Sequence, residues 1–122
     1  MRAATRNTRA HIFKLYIRST EGFLEDIPED VQDRMLEFAF QNITIRRDFI
    51  VFRPEAVLTH IEDGGITIVT HIDGLTKKCY AKLDDFQEPS KWNEIYEKST
   101  VETLEKCRIG RFVLTFMLAE EY

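Results

Sequence analysis

Three side chains in one short stretch have the types that acid–base or metal chemistry needs: His60, Glu62 and His71. They belong to an echoed pair of segments, Leu58-Thr-His-Ile-Glu62 and Val69-Thr-His-Ile-Asp73. Two imidazoles and a carboxylate can exchange a proton or ligate a cation such as zinc. Whether they meet depends on the turn between them. In a hairpin with a two-residue turn, paired positions have opposite parity. His60, Glu62, Thr67 and His71 then share a face, the two histidines diagonal on neighbouring strands. A three-residue turn separates the histidines onto opposite faces. Histidines eleven residues apart match no established metal signature, and His and Thr are ordinary on the solvated face of a hairpin. The expectation is no metal and no cofactor, with the balance against an enzyme but not settled by the sequence, and His60, His71 and Glu62 as the catalytic candidates to be checked.

Other chemistry has less to stand on. Gly64-Gly65 lies between alternating runs and lacks the Gly-Lys-Ser/Thr of a phosphate loop. No Ser stands in Gly-x-Ser-x-Gly, and neither Cys79 nor Cys107 has a neighbouring His to mark it as a nucleophile. The two cysteines read as reduced, mostly buried thiols of an intracellular, cytoplasmic protein.

Charge is more informative. The first eighteen residues carry five basic side chains, Arg2, Arg6, Arg9, Lys14 and Arg18, and no acid. The remaining 104 carry twelve basic and twenty-one acidic ones, a body of net −9 behind an arm of +5. Arginine and lysine contact phosphates whatever the fold, and Arg46 and Arg47 could extend the basic patch. Against a dedicated nucleic-acid binder stand an isoelectric point near 5.4 and the lack of an RRM, KH or helix-turn-helix signature. An acidic surface could instead compete with nucleic acid for a basic groove. A mitochondrial presequence has a similar Arg-rich, acid-free composition, but His11–Arg18 alternates as a strand does. No apolar run is long enough to span a bilayer.

Three function classes follow. The favoured one is a small non-enzymatic module that binds a macromolecular partner, most simply a protein, in a regulatory or inhibitory role and through its acidic surface. The second is a nucleic-acid binder using the basic arm. The third is a small enzyme or ligand-binding protein using the His60/His71 face. No membrane partner is expected.

The elements that must position these residues read as follows. Residues 1–10 form a basic arm, and 11–122 a single domain. In His11–Arg18, Phe13, Leu15 and Ile17 alternate with Lys14, Tyr16 and Arg18, the period of a half-buried strand. Pro28 opens a helix running to about Gln41, with Ile27, Val31, Met35, Phe38 and Ala39 on one stripe. Leu36 and Phe40 fall off that stripe, and an exposed apolar pair predicts a homo-oligomer interface. Ile43–Phe52 is strand-like but interrupted at Arg46-Arg47-Asp48. A hairpin follows, from Val57 to Ile72, with Val57, Ile61, Ile66, Ile68 and Ile72 facing the core and the histidine face wet. Lys77–Leu83 completes a meander. A second helix opens at Glu88-Pro89-Ser90, with Trp92, Tyr96, Ser99, Thr103 and Cys107 on a stripe and a break capped by Ser99 and Glu102. Arg111–Leu118 is apolar on both faces, as interior strands are. The sum is an α+β domain: an antiparallel sheet of five to six strands with two helices packed on it.

Overall fold

A computed structural model describes residues 13–86, 94–108 and 110–122. The described residues form an α+β domain with six strands and four helices. In order these are β1 (Phe13–Ser19), α1 (Glu21–Asp26), α2 (Glu29–Asn42), β2 (Phe49–Arg53), β3 (His60–Glu62), β4 (Thr67–His71), β5 (Cys79–Asp85), α3 (Glu94–Lys98), α4 (Val101–Cys107) and β6 (Gly110–Leu118). Single 3-10 turns occupy Asp63–Gly65 and Ala119–Glu121. The arm, Trp92 and the predicted helix start at Glu88-Pro89-Ser90 lie outside the described residues.

The strands line up as β1-β6-β5-β2-β4-β3. The sheet is mixed rather than purely antiparallel, because β1 pairs with β6 and β2 with β4 in parallel. Burial demand accounts for this order. β4 is buried on both faces from Thr67 to Thr70, and β6 carries Phe112, Leu114, Phe116 and Leu118 on its core side. Such strands need neighbours on both edges. β3 is short and exposed throughout, with His60 and Glu62 flanking Ile61, and β1 carries Lys14 and Arg18, so both suit the rim. β3 therefore skips the slot beside β2, and β4 fills it parallel to β2. The hairpin itself turns through Asp63, Gly64 and Gly65, all at positive φ, a conformation that glycine adopts without strain.

The helices pack on one face of the sheet. Ile27 before α2, and Val31, Met35 and Ala39 on it, are buried as the 3.6 period predicts, and Phe38 packs edge-on against Phe52 at 6.0 Å. Leu36 and Phe40 are half-buried against the same core, so they do not form the free apolar pair expected of them. A residue 100° off a stripe centre can still touch a core that curves around its helix. Glycine is required at the start of β6, where φ is +120° and a Cβ on Gly110 would stand 2.0 Å from the Phe112 ring.

Two departures reflect local capping. Thr20 accepts from the Phe23 amide and starts α1, a helix the sequence did not announce. The second-helix region is two helices, and the later one is capped by Thr100, not Ser99: its hydroxyl accepts from the Thr103 amide at 3.2 Å. A fresh cap resets the helical phase. The buried residues of α4 are thus Val101 and Leu104, while Cys107, expected inside, is exposed. Arg108, in the left-handed region at φ 61°, closes α4.

Candidate functional site

The hairpin pairs His60 with Val69 and Glu62 with Thr67. Four residues separate the paired ends Glu62 and Thr67, but parity is the same as for a two-residue turn. His60, Glu62, Thr67 and His71 do share a face. They do not converge on a common point. His60 Nδ1 lies 2.8 Å from the Leu58 carbonyl and its Nε2 2.8 Å from Glu62. His71 Nδ1 lies 2.9 Å from the Arg53 carbonyl and its Nε2 3.0 Å from Asp73. Each ring thus faces two acceptors, and the imidazolium, which donates from both nitrogens, suits both. The carbonyl of Leu58 and then the Glu62 carboxylate raise the His60 pKa above its ordinary value. The Arg53 carbonyl, assisted by Asp73, raises that of His71. In the protonated form both nitrogens of each ring donate, and neither then offers a lone pair to a substrate proton or a cation. Among the described residues no group of three or more His, Cys, Asp or Glu is arranged to hold a metal ion. The face is also drier than expected, since Thr67 and Val69 are buried; only β3 is wet.

Arg46 and Arg47 are largely occupied by the fold. Arg46 pairs with Glu97 at 2.8 Å, and Arg47 donates from Nε to the Gly65 carbonyl at 2.9 Å. Their segment is a turn, closed where the Arg47 amide donates to the Thr44 hydroxyl, so β2 begins only at Phe49. The other candidates, Lys14 and Arg18, are exposed on β1, while Arg2, Arg6 and Arg9 lie outside the described residues.

Strand registers bring Lys14 and Arg18 into company that the sequence did not reveal. The described helices pack on the face that buries Ile50, Phe52, Ala81, Leu83, Leu114 and Phe116. The opposite face carries the alternate residues. Across it, Lys14 stands beside Arg111, Tyr16 beside Val113 and Asp84, and Arg18 beside Thr115, Lys82 and Phe49. Tyr80 and Val51 form the next row and Arg53 and His71 the last. Phe49, Tyr80 and Tyr122 cluster at its middle with ring centroids 4.9–5.7 Å apart, and Lys78 lies over the Tyr80 ring.

At the β1–β6 end this face is open. Tyr16 is 61% and Phe86 63% exposed. They flank a cleft of about 360 Å³ lined also by Lys14, Arg111 and Val113. Phe86 is fixed there by its amide, which donates to the Arg111 carbonyl at 2.8 Å. Lys14, Arg18 and Arg111 enter no ion pair among the described residues, whereas Lys82 is 3.5 Å from Asp84 and Arg53 3.5 Å from Glu55. The arrangement can bind an anion and a flat apolar group side by side. What the sequence lacked was the register: alternation shows which residues share a strand face, but only pairing shows that Arg111 stands beside Lys14. Comparison with protein-family models, with curated proteins and with solved structures finds no match to this chain.

Proposed function

We propose that the protein is a non-enzymatic binding module that engages a macromolecular partner through the helix-free face of its sheet. The observation that supports this is the separation of charge between its two layers. Helices α1 and α2 carry seven carboxylates, among them Glu29, Asp33 and Glu37, against Arg34 alone. The open face carries Lys14, Arg18, Arg53, Lys82 and Arg111 against Glu62 and Asp84. In a chain of net charge −4 an even scatter would leave every face mildly acidic. Aromatic rings and arginines are also the side chains enriched where proteins touch their partners. Strands hold the backbones of these groups at fixed spacing, so little backbone entropy remains to be lost on binding.

A second reading, in which a basic protein docks on the acidic surface, has the outer side of α1 and α2 in its favour. The two are separated by charge reversal. Lys14→Glu with Arg111→Glu should abolish retention of partners from a lysate, while Asp33→Lys with Glu37→Lys should leave it intact. The opposite result favours the acidic surface. Retention by both variants overturns both readings.

A further inference from the structure

We infer that the partner of the open face is a single-stranded nucleic acid, its bases stacking on Tyr16 and Phe86 and its phosphates held by Lys14, Arg18 and Arg111. This rests on the reading that the open face is the binding surface and adds what it binds.

Charge complementarity selects a polyanion. The cations follow the strand, Lys14 and Arg18 lying four residues apart on β1 with Arg111 beside Lys14 on β6, so they form a track rather than a point. The two exposed rings select a polyanion that also has flat faces. Tyr16 stands between Lys14 and Arg18 along β1, about 6.5 Å along the strand from each, and the Phe86 amide is bonded to Arg111, so each ring has a cation as a near neighbour. Alternating cations and aromatic faces is the pattern that binds single strands, because every unpaired base has a stacking surface and every linkage a charge. A duplex hides its bases, and this end of the face, a cleft within a sheet, offers nothing shaped to enter a groove.

The plainer account of cations on β1 is that they guard a sheet edge against strand addition. That covers Lys14 and Arg18. It does not cover Arg111, which is on a strand paired on both sides, nor two aromatic rings left more than half exposed around one cleft. Nor does net composition argue otherwise, since the carboxylates that make the chain acidic are concentrated on the helices of the other layer.

The experiment is fluorescence anisotropy of the full chain with labelled oligothymidylate of about 12 nucleotides, a length within one domain's usual site. A duplex of the same length and heparin serve as comparison probes. The single strand should bind tightest. Tyr16→Ala and Phe86→Ala should each weaken it by roughly 5- to 150-fold, the range for loss of one stacked base, while Tyr16→Phe keeps wild-type affinity. Lys14→Ala and Arg111→Ala should each lower the log–log salt slope by about 0.7. Circular dichroism melts of every variant confirm folding. Equal affinity for duplex and heparin, unmoved by Tyr16→Ala, overturns the inference but leaves a cationic binding face. No binding to any of these probes, with lysate partners still lost on charge reversal of Lys14 and Arg111, likewise overturns it and leaves the module standing. Loss of nothing on that reversal removes the underlying reading itself.

Discussion

His60, His71 and Glu121 show how titratable side chains can shape the pH dependence of stability. The two histidines have pKa values raised in the fold by carbonyl and carboxylate acceptors. Their contribution is fully present below the ordinary value of 6.5 and is lost as pH rises through the folded values. Glu121 behaves oppositely. Its carboxylate accepts from the Thr20 hydroxyl and from the Leu118 and Gly22 amides at 3.0 and 3.1 Å, and the Thr20 bond above all lowers its pKa. That contribution is present above the ordinary 4.5 and is lost as pH falls through the folded value. A His60→Ala/His71→Ala variant should therefore fold, and should melt lower than wild type at pH 5.5. The difference should close as the pH is raised beyond neutrality. Melting curves across pH read this directly; a gap that widens with pH contradicts it. The cysteines divide as sharply. Burial pushes the Cys79 thiol up to about 12, while Cys107 is exposed at the end of α4. One thiol should react promptly with an aromatic disulfide reagent at pH 8, and that reaction should vanish in Cys107→Ser. The second should appear only on unfolding, because the thiolate is the reactive form and Cys79 stays protonated and enclosed.

Elements whose identity is set by local periodicity were legible in the sequence, and those set by partner choice were not. The α2 stripe is an example of the first kind, since Val31, Met35 and Ala39 repeat at helical spacing and face the core whatever covers them. Met35 has no exposed surface, so Met35→Ala should cost about 2–5 kcal/mol. Leu36, half-buried beside it, should cost no more than about 1.5 kcal/mol. Urea titration of the two variants would expose a reversed order, which would mean that the stripe is misplaced. The α3–α4 break was visible, but its cap was placed one residue early. Ser99 and Thr100 are both capping types, and only the turn geometry shows whose hydroxyl reaches an amide. Thr100→Ala should therefore cost about 1 kcal/mol and Ser99→Ala clearly less. The parallel pairs β1–β6 and β2–β4 belong to the second kind. β1 meets β6 across nearly the whole chain, Phe13 against Gly110, and no local pattern encodes such a pairing. The open-face site was hidden for the same reason. Lys14 and Arg18 were candidates from composition alone, whereas Arg111 and Phe86 acquire meaning only through the β1–β6 and β5–β6 registers.

At the scale of the whole molecule, segregated charge matters more than net charge. A chain of net −4 repels a polyanion on average, yet at physiological salt fields fade within about 8 Å, so a ligand near the open face senses chiefly that face. The basic arm belongs in this picture by its place in the chain. Arg2, Arg6 and Arg9 precede β1, whose first cation, Lys14, lines the Tyr16–Phe86 cleft. Arm and face are thus successive stretches of one cationic sequence, although the body that follows is acidic. Among the described residues the buried core begins at Phe23, with Leu15 partly buried against it, and arginine is by type a surface side chain. Replacing all three by alanine should accordingly change unfolding stability by no more than about 0.5 kcal/mol. It should still weaken binding of an anionic partner, and the weakening should shrink as salt rises, because exposed charge contacts are screened. For a single-stranded partner each lost phosphate contact removes roughly 0.7 from the salt slope, so the arm's share can be counted separately from that of Lys14 and Arg111. A triple variant with wild-type affinity and an unchanged slope would confine binding to the sheet face and leave the arm as solubilising sequence.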